Sequence, residues 1–172
     1  IEQRDTGIKR ALRQSGLHAE SFNGALLFEP WELATKQGDP YKVFTPYWKT
    51  ARASWRTPRL WDAPEHLPSP AALDLPESTT IDAILPAPSP AWDSGFWQRF
   101  TPGEEGARAA LSRFVEDVLT GYDASRDVPS VRGTSRLSPH LHFGELSPGR
   151  AAAAVLEAGD AIPDADRDRF LA

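Results

Sequence analysis

Residues 134–150 read TSRLSPHLHFGELSPGR, which gathers Thr134, Ser135 and Ser138 around Arg136, immediately ahead of Pro139. A serine followed by proline suits a helix N-cap and the first helical residue. The start of a helix presents N–H groups without intrahelical partners and a partial positive charge, so it receives anions. Hydroxyl donors collected at the same point would make a seat for the phosphates of a nucleotide cofactor. Plain capping accounts for the same residues, and on the residues alone both readings stand. The Gly-x-x-x-x-Gly-Lys of a Walker loop and the Gly-x-Gly-x-x-Gly of a dinucleotide fingerprint are both absent.

Other chemistries find less support. His140 and His142 are two apart, a spacing that sends them to different faces of a helix and argues against a shared metal. His18 and His66 have no histidine or carboxylate at ligand spacing, so no metal site is expected. No Gly-x-Ser-x-Gly elbow supports acyl transfer. Arg126 and Asp127 read as a local ion pair. Between 36 and 56, Tyr41, Phe44, Tyr47, Trp48 and Trp55 interleave with Lys42, Lys49, Arg52 and Arg56. Such a stretch can stack on single-stranded nucleic acid, or it can pack its rings inward and leave its cations in water.

These residues need elements to hold them. Ile1, Ile8, Ala11 and Leu12 recur at helical spacing within residues 1–15, with Gly16 placed to end the helix. Residues 25–28, ALLF, form a short apolar run between Asn23-Gly24 and Pro30 and read as a buried strand. One such αβ unit cannot make a sheet alone, so partner strands are expected upstream. Both ends of the chain read as cut. Ile1 stands inside a helix, and 164-DADRDRFLA-172 looks like a helix beginning. From Pro58 to Pro90 repeated prolines disfavour helix and favour an extended connector, with Leu67, Leu73, Leu75, Ile81 and Leu85 as anchors. A long helix is expected over 101–122: Thr101 as cap, Pro102 at the first position, Glu104 completing the cap, and an apolar stripe from Ala107 to Tyr122. A turn-rich stretch follows at 123–133. Ser147-Pro148 then opens a helix through 150-RAAAAVLEA-158.

Bulk properties set bounds. The 172 residues suffice for one domain with a core. Hydrophobic residues at 40% and charged residues at 25% fit a globular chain. A net charge of −5 lends no support to nucleic-acid binding, although a local basic groove on an acidic protein would escape that argument. With no cysteine, disulfides and thiolate metal sites are excluded. No signal peptide or long apolar run is present, so a soluble, cytoplasmic protein with no membrane partner is expected.

The string 122-YDASRDVPSVRGTSRLSPHLHFGELSP-148 resembles the start of the flavin-binding domain of the DNA photolyase/cryptochrome family. It carries, in order, that family's Tyr, Arg-Asp-x-Pro, Gly-Thr-Ser-x-Leu-Ser and Phe-Gly-x-x-Ser-Pro elements. The upstream 41-YKVFTPYWK-49 and 97-WQRFTPGE-104 are similar to the family too, as is the proline-rich connector. The resemblance is to the class I-like branch, which repairs cyclobutane pyrimidine dimers. It implies a mainly α chain with one αβ unit: the end of an α/β, Rossmann-like antenna domain at 1–35, a connector at 36–100, and the first helices of an all-α FAD-binding domain at 101–172. It further implies that Tyr122, Thr134, Ser135, Arg136, Leu137 and Ser138 line a folded FAD, largely at its phosphates, and that Arg126 touches a DNA backbone phosphate. UV-damaged DNA would be the partner of a full-length monomer. The alternative within the family is a blue-light photoreceptor without repair activity. Gly38-Asp39-Pro40 stands where folate-binding relatives carry Asn and Glu, so Asp39 is the candidate contact to an antenna pigment of folate or deazaflavin type. His140 departs from the aromatic or small residue usual in the family. The residues that complete the FAD site and the electron-relay tryptophans lie outside this sequence, so the chain by itself is expected to bind FAD weakly or not at all, and not to repair DNA.

Overall fold

The computed structural model describes residues 2–23, 26–56, 60, 62, 64–66, 78–85 and 92–172. Helices account for the regular structure. In chain order they are α1 (Glu2–Gln14), α2 (Phe44–Ala53), α3 (Ile81–Ile84), α4 (Ser94–Trp97), α5 (Gly103–Arg113), α6 (Tyr122–Ser125), α7 (Ser138–His142), α8 (Pro148–Glu157) and α9 (Asp164–Leu171). A π-helical turn, Phe114–Val118, follows α5 directly, and a 3₁₀ turn, Gly159–Ala161, follows α8.

Among the described residues, the two buried hydrophobic clusters lie in the C-terminal half. One cluster joins Ala107, Ala110 and Leu111 of α5 to Leu137, Leu146 and Ala151. A second joins Phe114, Leu119, Val155 and Ile162, with Tyr122, Phe170 and Leu171 packed against it. Phe114, Leu119, Leu137 and Val155 are the largest fully buried side chains, each contributing about 1.5–3 kcal/mol by leaving water. Helix α8 begins as the sequence predicts: Ser147 accepts the Arg150 N–H at 3.1 Å, with Pro148 in the first turn. Helix α1 ends as expected at Gly16, whose φ of +77° is the left-handed conformation glycine adopts freely.

The long helix of 101–122 is broken twice. Its start is Gly103, in left-handed conformation, behind an extended Pro102, so Thr101 does not cap it. The Thr101 carbonyl instead folds back onto the first turn, 1.9 Å from where a Cβ on Gly106 would stand, and only glycine fits there. The second break is the π turn, where Leu119 N–H donates to the Phe114 carbonyl five residues back at 2.8 Å. The extra residue rotates the stripe by one position, so Leu119 is fully buried while Val118 is only partly so. The chain then turns at left-handed Gly121, and Tyr122 opens a new helix rather than closing the old one.

Three further expectations change. Leu26 to Phe28 are not a strand, and among the described residues the only pairing is an isolated antiparallel bridge between Ala34 and Pro40. A lone strand has no neighbour here to complete its hydrogen bonds, and Ala25 lies outside the described residues. Ile81 and Leu85 are exposed rather than anchors, while Leu67, Leu73 and Leu75 lie outside the described residues. The aromatics around α2 form a ring cluster on the surface: Phe44 stacks on Trp48 with centroids 6.4 Å apart, and Tyr41 meets Tyr47 edge-on. Tyr41 shares a 2.8 Å hydrogen bond with Thr50. Arg52 of the same helix reaches Asp168 of α9 at 2.7 Å, which ties the N-terminal half to the core helices.

No helix among the described residues is long and apolar enough to cross a membrane.

Candidate functional site

The two segments singled out by the sequence, Tyr122–Arg126 and Thr134–Ser138, meet at Gly133. A Cβ on Gly133 would lie 2.4 Å from the Ser125 carbonyl oxygen and 2.6 Å from its carbon, so the chain before Thr134 runs directly against the end of α6. Glycine is needed here for contact, since the approach is backbone to backbone.

Beyond Gly133 the loop is pinned by one side chain. Leu137 is 1% exposed and sits among Ala107, Ala110, Leu111 and Leu146. With its side chain in the core, Leu137 can offer a ligand only its backbone. Arg136 before it has φ +55°, the one non-glycine residue with positive φ among those described, and Leu137 returns to the right-handed region. Such an alternation gathers successive N–H groups into a concavity that receives anions. Thr134 and Ser138 are exposed and Ser135 is half-buried, its Oγ 3.4 Å from the Leu137 N–H.

Ser138 differs from its expected role. It is the first residue of α7, and Leu137 holds the capping position without a side-chain hydrogen bond. Helix α7 spans only Ser138–His142, too short to build a useful dipole. The groups here that could receive an anion are therefore the backbone turn at Arg136 and the exposed hydroxyls.

On the other side, Tyr122 is half-buried, edge-on to Phe114 at 5.6 Å and to Phe170 at 5.7 Å. The Arg126 guanidinium lies over the Tyr122 ring, 5.5 Å from its centroid, and 3.4 Å from Asp127. Its side chain remains 36% exposed, so an outer face is open to a partner. Tyr122 and Arg126 thus form one stacked unit at the two ends of a single turn.

His140 finds its explanation in packing. It is 2% exposed, its ring lies 4.6 Å from that of Phe100, and its Nδ1 is 2.6 Å from Glu145 Oε2. A backbone hydrogen bond from Gly103, together with the His140 bond, holds the Glu145 carboxyl below its usual range. The pair joins the entry to α5 with α7, and His142 is exposed and apart from it. Among the described residues no group of three metal-ligating side chains comes together. Asp39 sits in an exposed turn closed by Thr35 and left-handed Gly38, with its N–H 3.2 Å from Thr35 Oγ1.

One participant was missed by the sequence. Asp166 of α9 is 6% exposed and accepts the N–H groups of Gly121 and Asp123, each at 2.8 Å. No local pattern announces it, because its partners are 43 and 45 residues away.

A family model described as DNA photolyase matches residues 1–71. A deoxyribodipyrimidine photo-lyase of Agrobacterium fabrum is 39% identical over 166 residues, covering 96% of this chain and 34% of that protein. The chain belongs to the DNA photolyase/cryptochrome family. Within it, a solved bacterial photolyase from Agrobacterium tumefaciens superimposes with a TM-score of 0.89 at 37% identity, over 98% of this chain and 35% of that one. That photolyase is of class III, whereas the motifs here resemble the class I-like branch; the family is common to both. Cryptochrome-2 of Arabidopsis thaliana is 33% identical over 153 residues, or 84% of this chain and 24% of that cryptochrome. The chain spans about a third of the length of the photolyase relatives it matches. Its regular elements among the described residues are helices, and the photolyase family implies a flavin chromophore.

Proposed function

We propose that the gene product carrying this chain is a light-driven DNA repair lyase, a deoxyribodipyrimidine photo-lyase acting on cyclobutane pyrimidine dimers. The observation that carries the reading is the meeting of α6 with the left-handed turn at Arg136, where exposed hydroxyls and backbone donors suit a pyrophosphate. FAD fits that donor set. Thr134, Ser135 and Ser138 would donate hydroxyl hydrogen bonds to its phosphates, Arg136 and Leu137 would add backbone N–H groups, and Tyr122 would close the side toward α6. FAD, when bound, supplies the electron that on photoexcitation opens the cyclobutane ring, while the chain orients it and excludes water.

Arg126 would contact a DNA backbone phosphate, giving affinity without sequence choice, and the dimer would be flipped from the duplex to reach the flavin. Residues 1–35 would end an α/β antenna domain, 36–100 form the connector, and 101–172 begin the FAD-binding domain. Asp39 would face an antenna pigment of folate or deazaflavin type. The whole protein would act as a cytoplasmic monomer on UV-damaged DNA. A photoreceptor without repair activity is the second reading, favoured by the identity with Arabidopsis cryptochrome-2. Reduced gene product incubated with dimer-containing oligonucleotide, in blue light and in matched darkness, decides between them. Dimer loss only in light establishes repair. A flavin-loaded protein that photoreduces yet leaves the dimer intact establishes the photoreceptor.

A further inference from the structure

Helix α6 is a single turn, Tyr122–Ser125, and a turn of that length is not stable alone. Its first N–H groups have no partner within the helix. Gly121, at the capping position, has no side chain to supply one, and its φ of +85° swings the chain away from the π turn. The donors are satisfied from elsewhere. Asp166 Oδ2 accepts the Gly121 N–H and Oδ1 accepts the Asp123 N–H, both at 2.8 Å, so one carboxylate brackets the backbone of Tyr122 from both sides. A buried carboxylate is costly unless its oxygens are engaged, and here each accepts a backbone donor.

The same face of α9 continues the attachment. Arg169 and Phe170, three and four residues after Asp166, lie on its side of the helix. Arg169 Nε pairs with Asp123 Oδ1 at 2.5 Å, and its carbonyl receives Arg126 Nη1 at 3.5 Å. Phe170 packs edge-on against the Tyr122 ring. Of these ties only Asp166 grips the backbone, so it sets the orientation of the turn as a whole.

We infer that Asp166 is a positioning residue that aligns Tyr122 and Arg126 together, so that one carboxylate on α9 sets both the cofactor contact and the DNA contact. This rests on the roles given to Tyr122 and Arg126 above. Its signature is a linked loss: disturbing Asp166 weakens FAD binding and, in protein saturated with FAD, weakens DNA binding as well. General destabilisation of α9 would not produce it. Arg52→Ala serves as the control, because it removes the exposed pair with Asp168 on the same helix without touching α6.

The test uses the full gene product as wild type, Asp166→Asn and Arg52→Ala. Each is measured for its FAD dissociation constant, for affinity of the FAD-saturated protein for dimer-containing duplex, and for the visible circular dichroism of the bound flavin. Asparagine keeps the volume and one acceptor but turns an amide N–H toward a backbone N–H. Asp166→Asn is expected to raise the FAD constant by about tenfold or more, to weaken DNA binding in the same direction, and to alter the flavin dichroism. Arg52→Ala is expected to match wild type in all three. Wild-type values for Asp166→Asn would overturn the inference while leaving the proposed function intact, as would equal losses in Arg52→Ala. Wild-type protein that binds no FAD would remove both. Should Asp166→Asn not fold, Arg169→Gln, which cuts the exposed tie between the same two helices, is read in the same assays. A linked but smaller loss supports the inference and wild-type values overturn it.

Discussion

Replacing Gly133 with alanine adds one methyl group at the junction of the two segments proposed to hold FAD. Its Cβ would stand 2.4 Å from the Ser125 carbonyl oxygen, 2.6 Å from the carbonyl carbon and 2.7 Å from the Ser125 hydroxyl. Ordinary contact needs about 3.4 Å or more, so the loop and α6 must part by roughly 1 Å. Neither side yields cheaply. Ser125 is in the backbone of a helix held by α9, and four residues on from Gly133 the loop is anchored by buried Leu137. Overpacking of this kind costs about 1–3 kcal/mol. A displacement of roughly 1 Å between Tyr122 and the hydroxyls is also large for a site that works by position, where such errors cost on the order of 100-fold. The gene product with Gly133→Ala is therefore expected to unfold several degrees earlier and to lose most of its FAD on desalting, while its helical dichroism stays unchanged. A variant that keeps its flavin and its unfolding midpoint would refute the claim that this contact sets the spacing of the site.

Other substitutions probe the fold that carries the site. Leu119→Ala should destabilise by about 2–5 kcal/mol and Val118→Ala by clearly less, in denaturant titrations; the reverse order would contradict the π-turn register. Ser147→Ala should cost about 1 kcal/mol through loss of the α8 cap, and a matched unfolding curve would count against that cap. Glu145, with its carboxyl held below the usual 4.5 by Gly103 and His140, contributes stability that is present above that value and is lost as pH falls through the lowered one. Urea midpoints at pH 7 and in the acid range should therefore converge in Glu145→Gln relative to wild type, and an unchanged acid slope would contradict it.

What could be read in advance divides by range. Ser147-Pro148 and Gly16 act on their own neighbours, so the start of α8 and the end of α1 follow from adjacent residues. The hydroxyls of Thr134, Ser135 and Ser138 drew attention to their segment, yet the cap predicted for Ser138 did not form. The backbone reaches α7 through left-handed Arg136, a conformation no periodicity displays. Thr101 failed as a cap for a similar reason, its carbonyl being pressed against Gly106. The π turn costs the apolar stripe one residue, and it is visible only when Leu119 rather than Val118 is found in the core. His140 was legible as an oddity but not as a link, because Phe100 and Gly103 come from another part of the chain. The strand at residues 25–28 was an inference from apolar content, and apolar content without a pairing partner does not make a strand.

The placement of the tryptophans divides the molecule optically. All six precede residue 101, and Trp31, Trp92 and Trp97 are largely in contact with solvent, whereas both hydrophobic clusters lie beyond that point. Indole emission from this chain thus reports on the segment before α5 and is nearly blind to melting of the helices that frame the site. Those helices contain Tyr122 as their single phenol and give most of the far-ultraviolet signal. Fluorescence and dichroism recorded on the same sample should follow different halves of the polypeptide. Coincidence of the two curves would mean that the halves, joined by the Arg52–Asp168 pair, melt as one cooperative unit.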